Sequence, residues 1–225
     1  MIQLQQTADG SHTLFVPELD EHYHSVKGAW TESEHIFLQM GWHHSPAPSP
    51  QVLEIGFGTG LNAFLTLLAA DRARRPTRYT TLERFPLSEE IVRQMNYPHQ
   101  IAPERSADYQ ALHQAAWDQA VAVTPWFTLR KTLTDFTTHS FQEAYDIIYF
   151  DAFAPEKQPE MWSPSLFETL FRHTRPGGIL TTYCAKGAVR RMLQAAGYTV
   201  ERLPGPPGGK REILRATKGF SGNIM

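Results

Sequence analysis

From residue 51 onward the chain alternates two rhythms of apolar positions. QVLEIGF, RYTTLE, FTLRKTL, YDIIYFD, GGILTTYC, YTVERL and REILRAT are short, densely apolar runs that predict strands. Between them, LNAFLTLLAADRA, LSEEIVRQM, ADYQALHQAAWDQA and AVRRMLQAA repeat their apolar residues at helical spacing. Strands and helices in alternation predict an α/β fold, a mostly parallel central sheet covered by helices on both faces. The first fifty residues follow another pattern. SHTLFVPELDEHYHS reads as strand and turn, TESEHIFLQMGW as a helix with Thr31 as N-cap and Glu34 completing a capping box, and SPAPSP as a short linker. The expected organisation is an N-terminal strand and helix extension over 1–50, packed on a core domain over 51–225.

Length and composition narrow the class. A chain of 225 residues with 41% hydrophobic content suits one α/β domain with modest additions and has enough apolar residues for a packed core. MIQLQQTADG has no basic stretch followed by an apolar one, and no run approaches the roughly 18 apolar residues of a spanning helix, so a cytoplasmic protein is expected. Cys184 is the only cysteine, which excludes an internal disulfide and a multi-thiolate zinc site, and it reads as a small core residue. The ten histidines, His22, His24, His43 and His44 among them, lack an accompanying acid-rich ligand set and read as surface or loop residues; no metal is expected. With a net charge of -2, any nucleic-acid contact must use local basic patches. Lys186, Arg190 and Arg191, and Lys210 with Arg211 in GGKRE, are the candidates for phosphate contact.

The chemistry concentrates at strand ends. VLEIGFGTGLN sets Gly56, Gly58 and Gly60 between the first core strand and its helix, where glycine lets backbone turn sharply and approach a ligand. The GxGxG spacing is neither the GxGxxG of many dinucleotide folds nor a P-loop with its lysine, which favours S-adenosylmethionine over NAD or ATP. Glu54 and Asn62, on either side of the glycines, join the cofactor-binding candidates. Glu83 ends the next strand, where an acid accepts hydrogen bonds from ribose hydroxyls. Asp135 follows FTLRKTLT, and two readings are open for it, an adenine contact or the N-cap of a short helix. Beyond YDIIYF comes DAFAPEKQPEMW, which does not continue as a helix. Asp151 stands there to hold an amine or to cap the turn; Phe153, Pro155 and Trp162 stand there to shape a pocket or to pack the loop.

DAFAPEKQPEMW closely resembles a segment of the methyltransferase domain of the MnmC family, the bacterial enzymes that finish the methylaminomethyl modification of the tRNA wobble uridine. The resemblance extends through GFGTGLN, ERFPL, RPGGILTTYCAKGAVRRMLQAAGYTVE and GKREIL, and more loosely through DEHYHSVKGAWTESEHIFL, so it covers most of the chain. It implies a Rossmann-like S-adenosylmethionine-dependent methyltransferase that acts on the primary amine of 5-aminomethyl(-2-thio)uridine in tRNA, with Asp151 as the family's catalytic acid. Ala152 stands where the family segment has glycine. Bifunctional members continue into an FAD-dependent domain; its fingerprint is missing here, so the methylation half-reaction alone is expected. An aminopropyltransferase of the spermidine-synthase type and a noncatalytic S-adenosylmethionine-binding RNA protein are the alternatives. An NAD-dependent dehydrogenase fits the glycine spacing less well.

Overall fold

The computed structural model describes residues 2–220, and among them the chain forms a three-stranded and an eight-stranded sheet. Strands β1 (Gln3–Gln6), β2 (His12–Val16) and β3 (Glu21–His22) pair antiparallel in that order. The turn between β1 and β2 caps the helix that follows, α1 (Ala29–Ser33). Thr7 Oγ1 accepts from Ala29 N, Ser11 Oγ from Trp30 N, and Asp9 Oδ2 from both Thr31 N and Thr31 Oγ1. This corrects the capping expected of Thr31 and Glu34. The helix starts two residues before Thr31, after Gly28, and its free N–H groups are met by side chains some twenty residues away. α1 runs into a π-helix over Glu34–Trp42, at whose end His43 N donates to Leu38 O, five residues back. Gly41 in that segment lies against Tyr149, whose ring carbon would sit 2.9 Å from an added Cβ.

The proline-rich segment at 45–50 is tied down. Arg75 donates to the carbonyls of Trp42, Ser45 and Ala47, and its guanidinium stacks over the Trp42 ring at 4.3 Å.

The large sheet is built from β4 (Gln51–Ile55), β5 (Thr77–Glu83), β6 (Ala120–Thr124), β7 (Phe127–Leu133), β8 (Tyr145–Phe150), β9 (Thr174–Thr182), β10 (Thr199–Pro204) and β11 (Glu212–Thr217). Its spatial order is β10-β11-β9-β8-β4-β5-β7-β6. Pairs from β9 across to β7 are parallel, and the outer strands on both edges are antiparallel. Helices α2 (Leu61–Ala73), α3 (Glu89–Gln94), α4 (Tyr97–Ile101), α5 (Ser106–Gln114), α6 (Pro164–Arg172) and α7 (Gly187–Ala196) make the connections. Residues alternate between two apolar layers along each central strand. In β8, Ile147 and Tyr149 belong to one layer, Ile148 and Phe150 to the other. The N-terminal segment shares the first layer through Leu14, Phe37 and Trp42.

The result is the mostly parallel, Rossmann-like sheet that the alternation predicts. Among the differences from expectation, two shape the large sheet and its helical cover. The helix predicted over 107–120 ends at Gln114, because Ala120–Thr124 turns back as an antiparallel edge strand against β7. PSLFETLFR, unassigned by pattern, is α6, begun by Ser163, whose hydroxyl accepts from Leu166 N. Going outward from β4, the chain first builds β5 and β7 on one side, then crosses to β8 on the other. This reversal opens a crevice at the strand ends beside β4 and β8.

Candidate active site

A cavity of about 990 Å³ occupies that crevice, at the C-terminal ends of β4, β5, β7 and β8. At the end of β4 the backbone turns through Gly56 (φ 91°) and Gly58 (φ 51°), conformations in which a Cβ is strained. The turn is also crowded: a Cβ on Gly56 would meet Asp151 O at 3.2 Å, and one on Gly58 would meet the Tyr23 ring at 3.0 Å. Glu83, at the end of β5, braces it. Gly58 N donates to Glu83 Oε2 at 2.9 Å and Phe85 N to Glu83 Oε1 at 2.7 Å. Each carboxylate oxygen keeps further acceptor capacity toward the cavity it lines.

Asp151, at the end of β8, faces the same space. Asn62, in the first turn of α2, donates through Nδ2 to Asp151 Oδ2 at 2.8 Å. Burial pushes the Asp151 carboxyl up to about 7; the Asn62 hydrogen bond and the Lys210 charge oppose this, while the Glu32 charge adds to it. Near neutral pH this acid therefore exists in both protonation states.

The loop after Asp151 is fixed from behind. Trp162 is buried, donates through Nε1 to Phe153 O at 2.8 Å and packs edge-on against Phe150. Phe153 turns to the cavity and meets Tyr23 at 5.1 Å between ring centroids. Two surface ion pairs, Lys157 with Asp20 and Glu156 with Lys186, join the loop to the β2–β3 turn and to the segment before α7.

Of the residues expected from the sequence, Gly56, Gly58, Asn62, Glu83 and Asp135 line this cavity, together with Asp151, Phe153, Pro155, Lys210 and Arg211. Three do not. Glu54 is fully buried within the sheet, Gly60 (φ 72°) turns the backbone behind the wall against His113, and Trp162 supports the loop from the core. Asp135 lines the wall and also caps a 3₁₀ turn. It accepts from Thr137 N and Thr137 Oγ1 and pairs with Arg84 at 2.7 Å, and these contacts hold its carboxyl below the ordinary range.

The N-terminal segment adds Tyr23, His24 and Glu32 to the wall, none of which was expected there. His24, expected on the surface, is buried. Its Nε2 lies 2.9 Å from Thr59 Oγ1 in the glycine turn, and burial, with the Lys210 charge, brings it down to about 4, so it is neutral at pH 7. Glu32 is buried beside Lys210, with Nζ 3.4 Å from Oε2. The same ammonium lies 4.0 Å from the centroid of the Tyr183 ring, and Tyr183 donates to Ala152 O. The signal for these residues was the dense HYH and ESE pattern near the start, which strand and helix periodicity alone does not rank. Among the described residues no three His, Cys, Asp or Glu side chains converge as a metal site.

Residues 99–219 match the family described as S-adenosyl-L-methionine-dependent methyltransferase, more than half of the chain. The chain belongs to that family. The methyltransferase is also similar to the solved structure of MnmC2 from Aquifex aeolicus, with a TM-score of 0.74 and 22% identity over 100% of this chain and 73% of that one. A methyltransferase from Pyrococcus furiosus matches at TM-score 0.53 and 21% identity, over 91% of each chain. Spermidine synthase from Thermotoga maritima matches at 0.56 and 13%, over 98% and 74% respectively. At these identities the structural likenesses establish a common fold. The family match makes the methyltransferase an enzyme whose cofactor is S-adenosyl-L-methionine, in agreement with the resemblance drawn from its motifs. The cavity fits that cofactor in kind: backbone bared by glycines at its floor, an acid at the end of β5, and a second acid, Asp151, across the turn. No helix among the described residues is long and apolar enough to cross a membrane.

Proposed function

We propose that the methyltransferase methylates the primary amine of 5-aminomethyl(-2-thio)uridine at the wobble position of tRNA, in the cytoplasm. The observation that carries this reading is the position of Asp151 beside the glycine turn, held by Asn62 and set in a cavity whose other side already accommodates an ammonium. Lys210 Nζ rests there between the Glu32 carboxylate and the Tyr183 ring. The DAFAPEKQPEMW resemblance and the fold shared with a protein named MnmC2 support the same substrate.

In this reading Gly56 and Gly58 bare backbone to the methionine end of the cofactor, with Gly60 setting the turn and Asn62 beside it. Glu83 would hold the ribose, and Asp135 would face the adenine. Bound S-adenosylmethionine would supply a sulfonium-activated methyl group, which the amine would take as the C–S bond returns its electron pair to sulfur. The protein's part is alignment and exclusion of water. An alkyl ammonium resembling Lys, with a reference pKa of about 10.4, must lose a proton to attack. Ionised Asp151 accepts an N–H of the amine, directs its lone pair toward the methyl group and favours proton loss. Phe153, Pro155 and Tyr23 enclose the base. Residues 1–50 act as an extension that completes the wall of the catalytic domain over 51–225, and Lys186 with Arg211 at the mouth meets RNA phosphates.

The test is methyl incorporation from labelled S-adenosylmethionine into tRNA bearing aminomethyluridine, read by nucleoside mass spectrometry. A new methylaminomethyl nucleoside is expected. Demonstrated cofactor binding with no transfer to intact substrate tRNA overturns the substrate assignment. Transfer of an aminopropyl group from decarboxylated cofactor to a polyamine would instead establish the aminopropyltransferase alternative.

A further inference from the structure

Lys210 is an exposed residue in the turn between β10 and β11, yet its ammonium lies against a buried acid. Gly205 N donates to Arg211 O and Gly209 N to Pro206 O, and these bonds close the turn with Pro206 buried beneath it. The backbone at Lys210 is therefore held. Its side chain is 41% exposed and reaches Glu32, whose side chain is 8% exposed. Because the lysine stem is long and flexible, the ammonium can leave by rotation of that stem with no movement of the hairpin.

Its two described contacts there are long. Nζ is 3.4 Å from Glu32 Oε2 and 4.0 Å from the Tyr183 ring centroid, whereas a well-formed charge-assisted hydrogen bond spans about 2.7–2.9 Å. The receiving side is better fixed than its occupant. Glu32 stands in the first turn of α1, the helix capped by Thr7, Ser11 and Asp9, and accepts from Ser25 N. The Tyr183 hydroxyl donates to Ala152 O at 2.8 Å, which sets its ring beside the residue that follows Asp151. A buried carboxylate and an aromatic face around one space are the chemistry of an alkylammonium site. Leaving that carboxylate buried and unpaired is costly, so a cation belongs there in the free enzyme as well.

We propose that Glu32 and the Tyr183 ring form the subsite that takes the substrate's aminomethyl group in its ammonium form, and that Lys210 is the occupant it displaces. The identity of the amine rests on the reaction proposed above. The exchange swaps one alkylammonium for another, and no covalent bond is made or broken in it. Glu32 and Lys210 both act on the Asp151 carboxyl, and the incoming ammonium replaces the positive charge that it removes. Specificity follows from the same exchange. A uridine whose 5-substituent is a methyl or hydroxymethyl group has no charge with which to displace Lys210, and an anionic substituent is repelled by Glu32.

The first test needs no RNA. In protein carrying carbon-13 at the lysine ε-position, with the Lys210 signal assigned by its loss in Lys210→Met, the ring current of Tyr183 marks the seated ammonium. Ethylammonium chloride is expected to move that signal to the position of a solvated lysine, whereas ethanol, or sodium chloride at equal ionic strength, leaves it in place. No movement beyond the sodium control overturns the proposal. The same movement with S-adenosylhomocysteine alone also overturns it, by giving the subsite to the amino-acid end of the cofactor. Single-turnover methylation of tRNA bearing aminomethyluridine is the second test. Glu32→Gln, which keeps an acceptor for Ser25 N, is expected to lower the rate at least about tenfold and Lys210→Met to raise it about threefold, with tRNA affinity within about twofold in both. The double variant should match Glu32→Gln, because the lysine then has no site to block. A loss of rate in both single variants marks the pair as structural and overturns the proposal. Should Glu32→Gln fail to fold, the ethylammonium titration and Lys210→Met decide. Should wild type methylate no aminomethyluridine, the substrate reading fails, and the titration still decides whether the subsite takes an ammonium.

Discussion

The Asn62 amide donates to the Asp151 carboxylate at 2.8 Å, joining the first turn of α2 to the end of β8 across 89 residues of sequence. That bond couples the glycine turn, which α2 immediately follows, to the acid proposed to receive the amine. Asn62→Ala should therefore lower kcat at least about tenfold and weaken the cofactor by less, since loss of one hydrogen bond to a charged group is worth roughly 1.5–3 kcal/mol. Steady-state kinetics and calorimetry separate the two effects; a loss confined to cofactor affinity would place Asn62 on the cofactor alone.

Asp151 gives the pH dependence. Its carboxyl is raised from about 3.8 to about 7, chiefly by burial. The folded state therefore binds a proton more tightly than the unfolded chain, and the protein loses stability as pH rises from about 4 to about 7. Asp151→Asn removes this loss. Its stability relative to wild type should grow across that window, by roughly 2–4 kcal/mol, and remain level above it. Urea unfolding at several pH values measures the difference; parallel curves would mean that Asp151 titrates in its ordinary range. Bound cofactor brings a positive sulfonium, which favours the ionised acid and should shift the midpoint down.

Glu83 braces the glycine turn through two backbone N–H groups as well as facing the cavity. Glu83→Ala should weaken S-adenosylmethionine binding by about tenfold or more, from lost cofactor contact and a loosened turn together. Calorimetry with an unchanged dissociation constant would exclude it from the cofactor site.

Lys210 and Arg211 are neighbours in sequence with different surroundings. Lys210 reaches Glu32 and the Tyr183 ring, whereas Arg211 lines the cavity mouth without such an ion pair among the described contacts. Arg211→Ala should weaken tRNA association and reduce the salt slope by about one. Lys210→Ala should act chiefly on turnover. Equal salt slopes for Arg211→Ala and wild type would move the RNA surface elsewhere.

Much of this architecture is legible in the sequence because it depends on local periodicity. Seven of the eight strands of the large sheet were marked by their apolar runs, and the glycine turn by its spacing. Where the pattern failed, long-range contacts decide the structure. Asp9 caps a helix begun by residues twenty positions later, so Thr31 looked like a cap and is instead one of the capped residues. Ala120–Thr124 is an edge strand that its small residues do not announce, and only β7 makes it one. The site divides in the same way. Asp151 and Glu83 end strands and could be placed by register, while Glu32 and Tyr183 reach the cavity from a short N-terminal helix and from beyond β9. Glu54 has the residue type of a ligand-binding acid, but the alternation of the strand turns its side chain inward.

The N-terminal segment contributes to the cavity wall together with parts of the chain made much later. His24 contacts the glycine turn, Tyr23 meets Phe153, and Glu32 meets Lys210. During synthesis from the N-terminus, Glu32 must wait for almost all of the remaining chain before its partner exists. The pocket is consequently one of the last features to be assembled, and a nascent or partly folded chain can hold much of its sheet while lacking a place for the methyl donor.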